Sequence, residues 1–403
     1  MNRPAFLYGE NSLDQNLKKN ESRPSVHFLS YSREDLDDVR LIARTLMAHG
    51  LKTWQDIHSL GTGLTEDKIK EAIRQQCDGL LFYSTQKSVA AAMIRDVELP
   101  EAEKRHKADS SFHIVPIFKL PIHETSESLK DCLTIPINNF NGAIVKNSIL
   151  EASQRAAEII LKESNLKKEL FPFPIGLVSK QKTGQAVGLD LDFNQFFESG
   201  LPTEDVWKTE IVTALVQVKN ALVQKGITQL RLFAAAHLSL GFLFGYIFRD
   251  RTGFNLEILQ NVEVWMINGG SEANPLKMSC SPGDLGSKNL VVKINLMSND
   301  TTSIVSFLSS KKVAYRAMLD VYPPAYPVAI SAKQAVSIAK DLANKIKELH
   351  AEYNTTDVHV FSAIPLGLAL FIGHFANACG RIHCYEFVNS SREYFPSVVL
   401  ENF

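Results

Sequence analysis

The first group in this chain that could do chemistry is a carboxylate at the edge of an apolar helical stripe. The spacing of apolar residues predicts a helix from about Ser88 to Arg105, in which Ile94 and Val97 belong to the stripe and Glu98 follows it. A carboxylate there is partly desolvated and still faces a cleft, which suits electrostatic stabilisation of a developing positive charge. The same spacing fits a solvated helix residue, so the pattern alone leaves both interpretations open.

The elements that would position this carboxylate are strands and helices in alternation. Short apolar runs predict strands separated by helices, at Val26–Ser30, 51–54, 79–85 and 112–118. Such alternation is typical of a parallel sheet covered by helices on both faces. Ligands of these sheets bind at the carboxyl ends of the strands, where loops 31–35 and 56–63 and the helix after Ser84 converge.

Three motifs in these segments indicate a family. FLSYSRED, WQDIHSLGTG and MIRDVELPEA occur in this order, and residues 25–165 together resemble a TIR domain. The resemblance implies a flavodoxin-like α/β fold with a parallel sheet. It also makes Glu98 the catalytic glutamate with which enzymatic members split NAD+, with Glu101 as the alternative in a shifted alignment.

The implied reaction is one that a single carboxylate can support. The nicotinamide of NAD+ is already a cationic leaving group, so its loss gives an oxocarbenium-like ribose without a second carboxylate acting as general acid. NAD+ is then a substrate, and we expect no cofactor.

The residues expected to bind NAD+ lie in the first two loops: Tyr31, Ser32, Arg33, Trp54, Asp56, Leu60 and Gly61. We expect the first loop to contact ribose or phosphate and Trp54 to stack on a base or nicotinamide ring. The alternative for Trp54 is a half-buried core residue, and for the first loop it is capping and surface packing. By the resemblance, residues 56–63 carry contacts between TIR domains and gate the NAD+ cleft.

An internal repeat organises the rest of the chain. LRLFAAAHLSLGFLFGYIF, which begins at Leu230, matches VHVFSAIPLGLALFIGHFA, which begins at Val358, with a constant offset. Amphipathic helices precede both segments, and the strands AVGLDLD and LVVKINL precede those helices. Each copy therefore predicts strand, helix, strand, helix, and we expect two Rossmann-like halves with loops 236–240 and 364–368 facing a shared cleft.

The domain boundaries follow from these patterns. We expect an N-terminal arm over 1–24 and a linker over 166–180, where the prolines of FPFP stop a helix. The C-terminal domain would cover 181–403, with pseudo-repeats at about 185–265 and 288–390.

The repeat and the final segment RIHCYEFVNSSREYFPSVVL resemble a SAVED domain, which consists of two fused CARF-like Rossmann halves. The resemblance implies a sensor for a cyclic oligonucleotide, here a cyclic trinucleotide from a partner nucleotidyltransferase. Amides at helix N-termini would bind its phosphates. The expected ligand contacts lie in the two loops and the final segment: His237, Leu238, Ser239, Pro365, Leu366, Gly367, Arg392 and Tyr394. For His237 the alternative is a satisfied core histidine.

Composition excludes several other classes of partner. Lys and Arg total 43 against 44 for Asp and Glu, so no global basic field would attract duplex nucleic acid or an anionic membrane. The apolar segment 230–248 approaches the roughly 20 residues of a membrane span. Arg231 and His237 interrupt it, and a buried strand followed by a buried helix gives the same composition.

Cysteine usage and the first residues indicate a cytoplasmic protein. Five cysteines are few and odd in number, and the N-terminus lacks the pattern of a signal peptide. His374, Cys379, His383 and Cys384 lack the paired spacing of a zinc site, so we expect buried thiols and no metal.

Together the two resemblances imply an effector of the CBASS antiphage systems. The C-terminal domain would bind the messenger, TIR domains would assemble with one another, and NAD+ would be destroyed. The alternative hypothesis makes the N-terminal domain a non-catalytic interaction module that is recruited by the nucleotide sensor.

Overall fold

Three β-sheets organise the chain in a computed structural model. The structure describes residues 25–54, 66–164, 166, 170–180, 188–297, 302–326 and 328–401. The predicted N-terminal arm, 1–24, lies outside this part of the chain. One sheet belongs to the N-terminal unit and two belong to the C-terminal unit.

The N-terminal unit alternates strands with helices as predicted. Its strands are β1 (Val26–Ser30), β2 (Lys52–Trp54), β3 (Gly79–Ser84), β4 (His113–Phe118) and β5 (Ala143–Ile144), and its α-helices are α1 (Leu36–Ala48), α2 (Glu66–Glu71), α3 (Gln86–Ala90), α4 (Leu99–Ala108), α5 (Ile122–Leu129) and α6 (Ile149–Glu163). The sheet is entirely parallel, in the order β2-β1-β3-β4-β5. This is the flavodoxin-like order, and it places the carboxyl ends of β1 and β3 side by side.

The predicted helix over 88–105 differs in detail. It is divided at Ala91, where the backbone is extended, and it resumes with a π-helical turn over Ile94–Glu98 before α4. The Leu99 amide donates to the Ile94 carbonyl, five residues back, which is the π pattern. Because a π turn holds an extra residue, it turns Glu98 inward with Val97 instead of leaving it at the edge of the stripe.

The first half of the C-terminal unit is built on a five-stranded sheet. Its strands are β6 (Phe173–Val178), β7 (Leu189–Asp192), β8 (Gln229–Ala235), β9 (Asn255–Gln260) and β10 (Glu263–Met266), and its α-helices are α7 (Asn194–Phe197), α8 (Glu204–Val206), α9 (Thr213–Gln224) and α10 (Leu238–Ile247). The order is β10-β9-β8-β6-β7, with β10 antiparallel to β9. A π turn over Trp207–Val212 joins α8 to α9.

The second half repeats this order. Its strands are β11 (Lys277–Pro282), β12 (Asn289–Asn295), β13 (Ala317–Tyr322), β14 (Asp357–Ala363), β15 (Arg381–Val388) and β16 (Glu393–Leu400), and its α-helices are α11 (Thr302–Ser310), α12 (Ala332–Glu352) and α13 (Leu366–Phe375). The order is β11-β13-β12-β14-β15-β16. Strands β7, β6, β8, β9 and β10 thus correspond to β13, β12, β14, β15 and β16, which confirms two fused Rossmann-like halves.

The predicted linker over 166–180 contains a strand, and one predicted correspondence between strands of the two repeats is wrong. Residues 173–178 form β6, which pairs with both β7 and β8. β6 therefore corresponds to LVVKINL, and AVGLDLD corresponds instead to β13. Pro174 is tolerated because it is the second residue of β6, before the pairing with β7 begins at Ile175.

The two halves meet where the repeated helices α10 and α13 cross. A Cβ atom on Gly245 would lie 2.0 Å from the Leu370 carbonyl oxygen, and one on Gly373 would lie 2.2 Å from the Phe242 carbonyl oxygen. The paired glycines of the repeat therefore allow the two helix backbones to touch. This contact brings the loops before both helices to one cleft.

The N-terminal unit packs on the first half through α1 and α6. Arg44 donates two hydrogen bonds to the Glu210 carboxylate, at 2.9 and 2.7 Å, and His49 Nε2 lies 2.7 Å from Gln217 Oε1. Buried apolar side chains of the two units also form one continuous cluster. The units are therefore joined by a packed interface.

The apolar segment 230–248 is β8 followed by α10, as the sequence predicted. Among the described residues, no helix combines the length and the apolar character needed to cross a membrane.

Candidate functional site

Glu98 is buried at the carboxyl end of β1. Its side chain is 8% exposed, and Ser30, the last residue of β1, donates its hydroxyl to Glu98 Oε2 at 2.7 Å. Phe28 lies two residues before Ser30 on the same face of the strand and stacks on Trp54, with ring centroids 4.9 Å apart. Strand β1 thus contacts both the carboxylate, through Ser30, and the aromatic side chain at the end of β2, through Phe28. Both groups belong to the predicted cleft.

Glu101 has a different environment. Arg74 donates to both of its carboxylate oxygens, at 2.6 and 2.7 Å. This hydrogen-bonded arginine lowers the pKa of Glu101. Glu101 is therefore held in an ion pair between helices, which favours Glu98 over it as the reactive carboxylate.

The residues of the first predicted loop have different environments, and Tyr31 lies away from Glu98. Tyr31 is buried with Leu29 on the opposite face of the sheet, in the core that α1 and α6 cover. Ser32 is half-buried before a 3-10 turn over Arg33–Asp35, and Arg33 is exposed. Burial of Tyr31 explains its place in the motif by packing.

The second predicted loop cannot be placed. Asp56, Leu60 and Gly61 lie outside the described residues. Trp54, which precedes them, is half-buried against Phe28 and fits both interpretations given to it above.

A second candidate site lies between the two halves of the C-terminal unit. A cavity of about 460 Å³ opens at the carboxyl ends of their central strands. Its described lining comes from both halves: Lys180, Ala236, Leu238, Asn295, Met297, Ser303, Ser362, Ala363, Ile364, Leu366, Glu386, Phe387 and Tyr394. The shared cleft is therefore present where the repeat predicted it.

The amides at both repeated helix N-termini already have side-chain acceptors. The Ser239 amide of α10 donates to Glu386 Oε1 at 2.6 Å, and the Gly367 amide of α13 donates to Gln260 Oε1 at 3.0 Å. Each acceptor comes from the other half, so the two halves cap each other's helices. One acceptor is a carboxylic acid and the other is a neutral amide, which makes the cleft chemically asymmetric.

His237 behaves as the satisfied core histidine of the alternative hypothesis. Its Nδ1 lies 2.9 Å from Ser179 Oγ, and its ring stacks on Phe197 at 4.2 Å. Burial lowers its pKa to about 4. Pro365 holds the equivalent N-cap position of α13, while the next residues, Leu238 and Leu366, line the cavity.

Of the two ligand contacts predicted in the final segment, Tyr394 lines the cavity and Arg392 is not among its described lining residues. The segment forms β16, which pairs antiparallel with β15, and Arg392 lies exposed in the turn between them with φ 56°. Tyr394 does reach the cavity and packs edge-on against Phe361, with centroids 5.2 Å apart. Because strand pairing decides this path, apolar composition gave no indication of it.

Sequence reasoning missed the polar residues of the cavity. Asn295 ends β12, Ser362 is the next-to-last residue of the neighbouring strand β14, and both are nearly fully buried. In the described part of the chain nothing forms a hydrogen bond with Asn295 Oδ1 or Ser362 Oγ. Burial raises the pKa of Glu386. A lone acid in the apolar strand IHCYEF was the signal that could have identified Glu386.

The cysteines and histidines considered for zinc have other environments. His374 Nδ1 lies 2.8 Å from the Phe248 carbonyl oxygen, and His383 Nε2 lies 2.7 Å from Asp357 Oδ1. Cys379 and Cys384 are buried, and burial raises the pKa of the Cys379 thiol to about 11. Within the described ranges, no group of three or more histidine, cysteine or acidic side chains is arranged to hold a metal ion.

Comparison with protein families agrees with this division of the chain. Residues 28–139 match the TIR domain. Residues 214–400 match SAVED, the SMODS-associated and fused to various effectors sensor domain. The chain joins a TIR domain to a SAVED domain. A comparison with curated proteins gave no match.

Solved structures of SAVED/CARF-domain receptors are similar to this chain at low sequence identity. The Cap4 SAVED/CARF-domain containing receptor of Acinetobacter baumannii, with the cyclic trinucleotide 3′3′3′-cAAA, is 14% identical with a TM-score of 0.50, over 86% of this chain and 87% of that chain. With 2′3′3′-cAAA the same receptor gives 15% identity and a TM-score of 0.49, over 86% and 87%. The Moraxella osloensis Cap4 receptor gives 14% and 0.45, over 91% and 99%.

Proposed function

We propose that this TIR–SAVED chain is an NAD+ glycohydrolase that a cyclic oligonucleotide activates. The buried Ser30–Glu98 pair beside Trp54 is the observation that carries the catalytic part. It places a fixed carboxylate and an aromatic ring at the strand ends where flavodoxin-like sheets bind ligands.

Glu98 would act by electrostatic stabilisation. The bond between C1′ of the ribose and the nicotinamide nitrogen breaks, and its electron pair leaves with nicotinamide, which becomes neutral. Glu98 stabilises the positive charge that develops on the ribose. Water then adds to C1′ and loses a proton to solvent, which gives ADP-ribose, or a hydroxyl of the same molecule adds and gives a cyclic product.

The remaining NAD+ contacts are proposals of the same site. Trp54 would stack on the nicotinamide or a base, and Ser32 and Arg33 would reach ribose or phosphate from the first loop. Asp56, Leu60 and Gly61 stay predictions, as does a role for Tyr31 beyond packing.

The SAVED domain would hold the activator in the cavity between its halves. Support comes from the sensor-domain match, from the cavity of about 460 Å³ and from its unpartnered polar atoms. The shared fold with a receptor bound to 3′3′3′-cAAA favours a cyclic trinucleotide. A partner nucleotidyltransferase would supply it in the cytoplasm of an infected bacterium.

Activation would proceed by assembly. Ligand-loaded chains would associate through both domains into a filament, in which neighbouring TIR domains complete each active site. Loss of NAD+ would then stop the infected cell, as in abortive infection by CBASS effectors.

The test is NAD+ cleavage by the purified full chain, alone and with cyclic di-, tri- and tetranucleotides. We expect cleavage with only one of these cyclic oligonucleotides. Glu98→Gln should lower kcat about 100-fold or more, because it removes the charge that stabilises the transition state. Asp96→Asn is the matched control, since Asp96 is an exposed acid of the same π turn.

Two results would contradict the proposal. Full cleavage by Glu98→Gln would remove Glu98 from the chemistry. Ring binding and assembly without any cleavage would favour the non-catalytic interaction module.

A further inference from the structure

The cavity between the two SAVED halves carries little positive charge for a ligand rich in phosphates. Among its described lining residues, Lys180 is the one cation and Glu386 the one acid. These two charges offset each other. The cavity itself is therefore a poor place for a phosphate group, which needs an excess of cationic or amide donors.

The α10 N-terminus is the obvious anion site of the cavity, and Glu386 already occupies it. Its Oε1 accepts from the Ser239 amide at 2.6 Å. A phosphate entering here would meet a buried carboxylate, and like charges repel strongly at low dielectric. A carboxylate has about four acceptor positions, so Glu386 still has lone pairs for a ligand that donates.

Two further polar side chains point to a ligand. Asn295 is 2% exposed and Ser362 is 4% exposed, and within the described residues no partner bonds to Asn295 Oδ1 or Ser362 Oγ. An unsatisfied buried polar atom is costly, and the cost is recovered when a ligand supplies the missing partner. Asn295 Oδ1 is an acceptor, as is the Glu386 carboxylate, whereas the Ser362 hydroxyl can donate or accept.

The rest of the lining suits a flat aromatic group. Tyr394 and Phe387 line the cavity with their rings 5.2 Å apart, and Leu238 and Leu366 contribute apolar surface from the two halves. Nucleic-acid bases stack on such aromatic side chains in proteins that bind single strands. At about 460 Å³, the cavity is near the lower end of the roughly 300–1,000 Å³ of small-molecule sites, which fits part of a ring.

We propose that this cavity is a base subsite, in which Glu386 and Asn295 accept hydrogen bonds from the exocyclic amino group of one base of the ring. Ser362 adds a hydroxyl to the same base edge, and the phosphates lie outside. The assignment rests on the proposed sensing of a cyclic oligonucleotide. It predicts selection for a base with an amino group, adenine or cytosine, over one with an oxo group in its place.

The test is calorimetric titration of the full chain with four cyclic trinucleotides, in which all bases are adenine, hypoxanthine, cytosine or uracil. Each pair differs by amino against oxo. We expect the adenine or the cytosine trinucleotide to bind at least about tenfold more tightly than its oxo counterpart, because an oxo group would face the acceptors Glu386 and Asn295 and leave them unpaired. Whichever of the adenine and cytosine trinucleotides shows this preference identifies the base.

Glu386→Gln is the decisive variant. The amide keeps an acceptor for Ser239 but turns an NH2 donor towards the ligand, so the amino preference should disappear or reverse. Glu393→Gln is the matched control, because Glu393 is an exposed acid at the start of β16. Ser362→Ala removes a hydroxyl that lacks a described partner, so it should leave the free energy of unfolding unchanged. It should weaken binding of the amino-bearing trinucleotide about twofold to tenfold.

Other outcomes would overturn the assignment. An unchanged amino preference in Glu386→Gln would exclude Glu386 as a base contact. Tighter binding of all four rings by this variant would mean that the carboxylate merely competes with a phosphate. Absence of binding to the unaltered chain would overturn sensing and subsite together, whereas base-selective binding without NAD+ cleavage would overturn only the catalytic proposal.

Discussion

At the scale of single residues, the catalytic proposal depends on how Glu98 is held. The Ser30 hydroxyl donates to Glu98 Oε2, and both side chains are nearly fully buried. A hydrogen bond to a buried carboxylate restricts its rotamers and fixes its position. Ser30 is therefore a positioning residue, which the spacing of acids along a helix could not have indicated.

Ser30→Ala should lower kcat about tenfold with little change in KM, because it removes an interaction of the carboxylate and none with NAD+. Steady-state kinetics with the activating ring would measure both constants. Ser30→Thr keeps the hydroxyl on a β-branched side chain suited to a strand, and it should restore most of the rate. Equal kcat in the alanine variant would assign the hydrogen bond to packing alone.

His27 should make the TIR domain sensitive to acid. Burial lowers its pKa to about 4, against about 6.5 in an unfolded chain. Between these pH values His27 binds a proton in the unfolded state and stays neutral in the folded state. The free energy of unfolding therefore falls as the pH drops from about 6.5 to about 4. Denaturant titrations at pH 7.5 and 5.5 should show this loss, and His27→Leu should reduce it. An equal loss in both proteins would contradict the assignment.

At the scale of secondary-structure elements, the crossing of α10 and α13 builds the ligand cleft. Each helix presents a glycine to the backbone of the other, so the helices approach without side chains between them. The loops at their N-termini then lie on one cavity, and the acceptors Glu386 and Gln260 can each cap the opposite helix. A duplicated sequence has thereby produced one shared site.

Gly245→Ala should destabilise the SAVED domain by about 1–3 kcal/mol or more. The new Cβ would lie 2.0 Å from the Leu370 carbonyl oxygen and 2.9 Å from the His374 amide nitrogen, and both are backbone atoms. Chemical denaturation would measure the loss. Gly286→Ala is the control, since its nearest neighbour would be an Asp284 oxygen at 3.5 Å. Equal stability of the two variants would show that the helices separate at little cost.

At the scale of the whole molecule, the two domains are coupled by packing. Arg44 of α1 bonds to Glu210 in the π turn before α9. Lys225, which follows α9, donates to the carbonyl oxygens of Lys162 and Ser164 at the end of α6. The first SAVED half is therefore attached both to the TIR domain and to the ligand cavity. A shift of this half on ligand binding would carry the TIR domain with it.

Arg44→Ala should uncouple the domains. It leaves the buried Glu210 carboxylate without its cation, which is costly, while the cavity is unchanged. We expect the affinity for the cyclic oligonucleotide to stay the same and the NAD+ cleavage that it stimulates to fall. The unfolding transition should become broader or divide into two. Arg40→Ala on the same helix is the control, because Arg40 is largely exposed. Full stimulation in the Arg44 variant would place the coupling elsewhere.

Much of the fold followed from local pattern. The sequence predicted strand β1, a parallel first sheet and the correspondence of β8 and α10 with β14 and α13, because apolar periodicity and a fixed offset report burial directly. Strand β6 was not predicted, because Pro172 before it and Pro174 within it are typical of a linker. The π turn before α4 was also missed, since an extra residue in one turn leaves no periodic signal.

The sequence by itself determined the two domains, the candidate Glu98 and the duplicated helices of the sensor. Only the tertiary structure decided which groups meet: Ser30 with Glu98, Glu386 with the α10 N-terminus, and Tyr31 with the opposite core. The physical reason is that motifs and periodicity encode which residues are buried along one element. Hydrogen bonds between strands and helices far apart in the chain depend on sheet order and helix crossing, which emerge only when the elements pack.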